Sequence, residues 1–380
     1  MECLHEASRF RALERDWRFL HRNCADVTPF TSWEWLFSWW QAYGASRQLR
    51  LLTWRAADGT LVGIAPLYLA AERTALGTEC RVLRFVGDGT FDSDYLGLLI
   101  HPPAFSSVVR DFGEWLGANK EWDALVLREL SDQSGLPSAL RSEAERLRFQ
   151  FRLEQGRCGA LDLPRSWSEF LQARQSRFRT KLRSLLRKID DGGLSFESGW
   201  EPRDLKRRLR SLFALHQQRW HEADAPGVFG DTAKRLFYAH FVPRFGRSGW
   251  LRLYSLRHGP NYVAHQLCFG SNGTTYLLQE GFDVSNPSAS YGQMLRAAVI
   301  RHLIESGERQ YDFLGGVSKH KQDWGAREQQ TTHLIIARNE LRGRLYFSLP
   351  VWRDRLAGGA KRMVPEFILK GLRRPKVANS

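Results

Sequence analysis

Residues 273–324 constrain the fold more than any other stretch of the 380-residue chain. Positions 274–279 are a β-branched and aromatic run, which suits a strand. Positions 282–290 carry Asp, Asn, Pro and three Ser and read as a loop. Ser288 or Ser290 can cap a helix whose body is 293–305. Apolar residues at 294, 295, 297–300, 303 and 304 give that helix a face wide enough to require burial against a sheet. Gly307 stops it, and 311–314 is the next strand. Gly315-Gly316 then turns the chain into Val317-Ser318-Lys319-His320-Lys321.

This strand–loop–helix–strand unit has a chemical use. The N-terminus of a buried helix presents unpaired N–H groups and the positive end of a dipole, and a pyrophosphate fits there. Ser290, Tyr291 and Gly292 stand at that point, and Gly292 permits close backbone approach. An ordinary capped helix in an α/β sheet is the structural alternative.

Tyr311-Asp312-Phe313-Leu314-Gly315-Gly316, followed by Lys321 and Trp324, resembles the YDF-x-x-G-x-x-x-x-K-x-x-W signature of the CelD-like acetyltransferases. That family is a branch of the GNAT superfamily linked to bacterial cellulose and exopolysaccharide synthesis. Ser290-Tyr291-Gly292 is similar to its S-P-G helix entry, with Tyr291 in place of proline. Pro29-Phe30-Thr31-Ser32-Trp33-Glu34-Trp35 is similar to its opening motif, and His320 stands where the family has tyrosine. The resemblance spans about 20–340. It implies a tandem GNAT-like acyltransferase fold of class α/β (α+β), with mixed central sheets flanked by helices, and acetyl-CoA as acyl donor.

Composition narrows the classes. Hydrophobic content of 43% with 12% aromatics indicates a globular chain long enough for two cores. Five scattered cysteines without C-x-x-C spacing argue for reduced thiols and against a metal cluster. No basic-then-apolar leader and no run of 18 apolar residues is present, so a cytoplasmic protein is expected. The net charge is +15, and residues 342–380, with ten Lys/Arg and two Asp/Glu, carry +8 of it. That basic tail is punctuated by Trp352, Leu356, Phe367 and Ile368, a pattern suited to an anionic membrane surface or to a packed C-terminal helix.

The rest of the chain gives two similar halves. Helices are expected over 9–23 and 33–43, the second with a tryptophan-rich stripe whose helical spacing favours core packing over a sugar-stacking platform. A hairpin turns at Asp58-Gly59. Strands are expected over 81–86 and 95–100, around an acidic loop, 87–94, read as a solvated turn rather than a cation site. Helix 105–119, strand 124–128 and helix 136–146 complete a first GNAT-like half, 1–148. The second half, 149–341, has a strand over 157–163 and a helix over 167–189. That helix carries Arg174, Arg177, Arg179, Lys181, Arg183, Arg187 and Lys188, a basic face suited to solvent or to an anionic coenzyme rather than to nucleic acid, though it would suit tRNA in a Fem-like enzyme. Then come helix 202–222, hairpin 250–269 and the opening unit, with 331–338 as a last strand.

Acyl transfer from a thioester needs a held donor, a deprotonated acceptor and a stabilised oxyanion or thiolate. His265, on the hairpin strand beside 274–279, is the first candidate base because imidazole titrates near neutrality. Glu280 and Asp283 are alternatives. Asp312 faces the opposite side of its strand from its neighbours and is expected to hold a lysine. Lys321 is expected to neutralise a phosphate or oxyanion. Three functions follow: an acyl-CoA-dependent transferase acting on a sugar or amine, a Fem-like aminoacyl-tRNA-dependent transferase of cell-wall precursors, or a non-catalytic scaffold of an exopolysaccharide machine.

Overall fold

The structure is a computed structural model and describes residues 1–24, 27–131, 134–221 and 227–349. The first half begins with β1 (Glu2–Leu4), α1 (Ala7–Ala12) and α2 (Glu14–Asn23), so the helix expected over 9–23 is broken at Leu13. In α3 (Trp33–Tyr43) the Ser32 hydroxyl accepts from the Trp35 N–H and satisfies one orphan donor. Its four indoles are buried, as their spacing indicated. Then follow β2 (Gln48–Arg55), β3 (Leu61–Arg73), β4 (Glu79–Phe85), β5 (Leu99–Ile100), α4 (Phe105–Ala118), β6 (Ala124–Ser131) and α5 (Leu136–Arg146). The strand expected over 95–100 shrinks to β5 because the chain before it turns left-handed at Phe91 (φ 60°) and Tyr95 (φ 49°).

The second half contains β7 (Gln150–Asp162), α6 (Trp167–Gln172), α7 (Ser176–Asp191), β8 (Leu194–Ser198), α8 (Pro202–His221) and α9 (Thr232–Arg247). After these come β9 (Leu251–His258), β10 (Asn261–Ser271), β11 (Thr274–Phe282), α10 (Tyr291–Glu305), β12 (Gln310–Gly315), α11 (Lys319–Asp323), β13 (Arg327–Ala337) and α12 (Leu341–Ser348). The single helix expected over 167–189 is two, because Gln175 is extended (ψ 145°). Helix α9 gave no amphipathic signal. Its buried residues, Lys234, Phe237, Tyr238, Phe241, Val242 and Phe245, form one face, but that face holds Lys234 and the outer face exposes Leu236, which blurs the contrast.

All the strands join one mixed sheet, in the order β1-β2-β3-β4-β6-β13-β7-β12-β11-β10-β9-β8, with β5 on β3. Apart from β5, the run β2-β3-β4-α4-β6-α5-β7 is repeated as β9-β10-β11-α10-β12-α11-β13. The last strand of each run crosses over: β7 pairs with β12, β13 pairs with β6, and the two pair with each other along their length. Among the described strand pairs only β4–β6 and β11–β12 are parallel.

On one face of the second half, α6, α7 and α10 pack through Phe170, Leu182, Leu295 and Ile300. On the other lie α8 and α9, joined to α3. There Trp35 meets Phe237 and Phe241 at 4.8 Å and Phe245 at 5.7 Å between centroids. Such aromatic pairs add about 0.5–1.5 kcal/mol each beyond area burial. The tail expected from 342 starts inside α12, whose buried Tyr346 hydroxyl bonds Glu72 at 3.0 Å. Residues 350–380, where the membrane-binding expectation mainly falls, lie outside the described residues.

Candidate functional site

Strands β11 and β12 run parallel through three pairs, Thr274↔Gln310, Thr275↔Tyr311 and Tyr276↔Asp312, and then part. Two local features open this fork. On β11 the register slips, so Leu278 stands unopposed by β10. On β12, Leu314 adopts φ 57°. A left-handed apolar residue is costly and persists only where its surroundings impose it.

Asp312 sits at the vertex and is 1% exposed. Its Oδ1 accepts from the Leu314 N–H at 2.7 Å, and its Oδ2 accepts from the Tyr95 hydroxyl at 2.7 Å. The expectation that Asp312 holds a lysine is thereby corrected: its side-chain partner is a phenol from the first half. Burial pushes the Asp312 carboxyl up to about 6, and the Tyr95 bond opposes that rise. A carboxylate titrating near neutrality at the vertex of a fork is suited to accepting a proton.

Lys321 lies beside it and turns its ammonium to the backbone. Its Nζ donates to the carbonyls of Phe313, Leu314, Gly315 and Gly316, at 3.0, 2.9, 2.8 and 2.9 Å. The expected electrostatic partner of a phosphate is instead a clamp on the bend at the end of β12. Burial pulls its ammonium down to about 8, against the attraction of Asp94 and Asp312.

His265 is also elsewhere. It opposes Gly281 on β11, five residues beyond Tyr276, the partner of Asp312. Its Nδ1 and the Ser255 hydroxyl are 2.6 Å apart, and the same hydroxyl accepts from Arg208 of α8. Complete burial, reinforced by Arg208, pushes its pKa down to about 3. It is a neutral core imidazole, and the expected base role does not fit.

Glu280 is engaged twice: Arg296 Nη2 donates to both its oxygens at 2.8 and 2.9 Å, and Gln266 donates at 2.6 Å. Arg296 also contacts the His320 imidazole, which burial and that cation drive down to about 4. Asp283 accepts from the Ser285 N–H and hydroxyl in a local turn.

The helix entry holds Ser290, Tyr291 and Gly292, with differences from expectation. Ser290 is left-handed (φ 61°) and its side chain makes no cap bond. The first-turn N–H groups of Tyr291 and Gly292 take no hydrogen bond among the described residues. A Cβ on Gly292 would lie 2.6 Å from the Phe282 ring, so glycine is required there for ring packing. The Arg219 guanidinium lies 5.1 Å from the centroid of that same ring and reaches Glu280 only at 4.0 Å. A cation and two open N–H groups thus flank one apolar ring, an arrangement suited to an anionic group.

The acidic loop is not a solvated turn. Asp88 accepts from Arg84 at 2.8 Å, Tyr238 donates to Asp92 at 3.0 Å, and Asp94 accepts from the Gly315 N–H at 3.2 Å. Among the described residues, Asp94, Glu129 and Cys158 offer possible metal-ligand atoms within 4.8 Å of one another. Both carboxylates already accept from protein donors, Glu129 from the Thr331 hydroxyl at 3.1 Å.

Sequence reasoning missed Tyr95 and Arg219. For Tyr95 no local signal exists, since it meets Asp312 across 217 positions. Arg219 was hidden in a helix with other basic residues.

Residues 176–322 match the family model of the Acetyltransferase (GNAT) domain. No curated protein sequence matches the chain. Among solved structures, FemX aligns with TM-score 0.57 at 13% identity, covering 91% of this chain and 99% of that one. L-PGS from Bacillus licheniformis aligns at 0.53 and 10%, covering 87% and 94%. The C-terminal domain of a putative lysylphosphatidylglycerol synthetase from Agrobacterium fabrum aligns at 0.52 and 11%, covering 90% and 96%. Residues 176–322 are thus similar to a GNAT acetyltransferase domain, and the fold is GNAT-like, a mixed sheet flanked by helices.

Proposed function

We propose that the chain is an acyl-CoA-dependent transferase, acetyl-CoA being the donor and a sugar or amine the acceptor, in exopolysaccharide assembly. The observation that supports it is Asp312 at the vertex of the β11–β12 fork, buried and titrating at about 6. The pyrophosphate would lie at the start of α10, by Ser290, Tyr291, Gly292 and Arg219. The acceptor nitrogen or oxygen attacks the thioester carbonyl, its proton passes to Asp312, and the carbon–sulfur bond breaks to release CoA.

A second reading has its own support. Arg177, Lys181, Arg183, Arg187 and Lys188 are exposed on α7 and make no ion pair among the described residues. Lys181 is near enough to His320 to depress its pKa. The basic face therefore approaches the fork, and a nucleic-acid backbone is matched to such a face. This is the Fem-like, aminoacyl-tRNA-dependent alternative.

Calorimetric titration of the full chain with acetyl-CoA, and separately with uncharged tRNA, tests both. Saturable heat with acetyl-CoA alone upholds the first reading. Heat with tRNA alone replaces it with the second, and silence in both removes each.

A further inference from the structure

The first half contains a counterpart of the fork. Strands β4 and β6 are parallel through Val82↔Ala124, Leu83↔Leu125 and Arg84↔Val126, and then part. By register, Val126 occupies the place of Asp312, so no carboxylate stands at that vertex. A left-handed bend recurs one residue later, with Glu129 (φ 56°) three residues past Val126 where Leu314 (φ 57°) is two past Asp312.

This fork is closed by its own chain. After the loop that follows β4, Leu96 forms a parallel bridge to Leu130 of β6. The residue just before that bridge is Tyr95, at φ 49°. Its phenol projects out of the first half into the second, where it donates to Asp312 at 2.7 Å, with Gln329 Oε1 at 3.2 Å as a further acceptor.

We infer that Tyr95 is a positioning residue for Asp312, so that the first half completes the reaction centre of the second. The inference rests on the proposed role of Asp312 as proton acceptor. Among the described residues two donors hold the carboxylate, and one is a backbone N–H fixed by β12 itself. Tyr95 is thus the side chain that sets the carboxylate's orientation and favours its charged form. The other charged or titratable groups around it among the described residues are Tyr276 of β11, Asp94 from the loop, Cys158 of β7, Glu129 of β6 and Lys321 of α11. Burial is the largest influence on Asp312, and the phenol opposes it.

The test reads the carboxylate directly. Full-length protein labelled with 13C at aspartate Cγ is titrated by NMR, the Asp312 signal being identified by its loss in Asp312→Asn. In Tyr95→Phe the Asp312 midpoint is expected to rise by about one pH unit, the scale of one lost hydrogen bond to a charged group. A midpoint equal to the parent's, or lower, overturns the inference, and so does a Tyr95→Phe melting temperature so reduced that the signal is that of an unfolded chain. Asp312→Asn is assayed separately for transfer from acetyl-CoA to glucosamine. Parental rates there remove Asp312 as base and the inference with it. A shifted Tyr95→Phe midpoint with an inactive Asp312→Asn upholds both, and an unshifted midpoint with an inactive Asp312→Asn removes the positioning role alone.

Discussion

Lys234 of α9 and Asp92 of the loop after β4 form an ion pair across the two halves, 3.1 Å from Nζ to Oδ2, with side chains only 8% and 0% exposed. Lys234 also donates to the Thr90 carbonyl at 3.0 Å. Burial pushes the Asp92 carboxyl up, and Lys234 pulls it back. Lys234→Met leaves that carboxylate buried without its cation. A loss of about 3–5 kcal/mol in urea unfolding is expected, with most of it recovered in the Asp92→Asn/Lys234→Met double variant. A loss below about 1 kcal/mol would show that the pair does not hold the halves together.

Asp312 links stability to pH. Its folded pKa, about 6, lies above the unfolded value near 3.9, so the folded state binds the proton more tightly. The stabilisation is therefore full below about pH 4 and lost as pH rises through 6. At pH 7 the ionised group costs about 3 kcal/mol. Asp312→Asn should melt at or above the parent temperature at pH 7, with the difference closing near pH 4. Transfer should fall by about a hundredfold or more. A variant that melts well below the parent at pH 7 contradicts this account.

Lys321 clamps four carbonyls, so its loss should be structural first. Lys321→Ala is expected to cost about 2–3 kcal/mol, from hydrogen bonds to a charged group, and to lower turnover with it. Exposed Lys319→Ala should change neither. If Lys321→Ala loses turnover at an unchanged melting temperature, the ammonium acts on substrate instead.

Gly292→Val forces side-chain atoms into the Phe282 ring. Overpacking of this kind costs about 1–3 kcal/mol. Thermal unfolding should show that loss, and Phe282→Ala in the same chain should relieve part of it. Additive losses in the double variant would mean that the two residues do not share the space.

Arg219 lies over Phe282 beside the α10 entry. Arg219→Gln should weaken acetyl-CoA binding by roughly tenfold to a hundredfold, the scale of a lost charge-assisted contact. Calorimetry gives the affinity directly. An unchanged Kd would move the anionic group away from this helix entry.

The elements that could be read from the chain are those whose signal is local. The strand–loop–helix–strand unit around α10, the capped helix α3 and the Asp58-Gly59 hairpin follow from periodicity, a capping hydroxyl and a turn dipeptide. The repeated order of elements was legible for the same reason. Helix α9 was not: a lysine, Lys234, on its buried face and an exposed Leu236 on its outer face flatten the amphipathic contrast on which periodicity depends. The α6–α7 break turns on one extended residue inside a favourable helical pattern.

Tertiary structure alone decided the site. Whether Lys321 meets phosphate or carbonyls depends on the bend at Leu314, a non-glycine residue that carries no left-handed signal of its own. His265 has the right chemistry by residue type, but register and Arg208 place it in a core where imidazole stays neutral. The crossing of β7 and β13 brings Tyr95 and Asp312 into contact through hydrogen-bonded pairing between distant segments. Local sequence determines which segments become strands and helices, because backbone preference and periodicity act over a few residues. Which side chains then meet is determined by sheet order and register, because those depend on the packing of the whole chain.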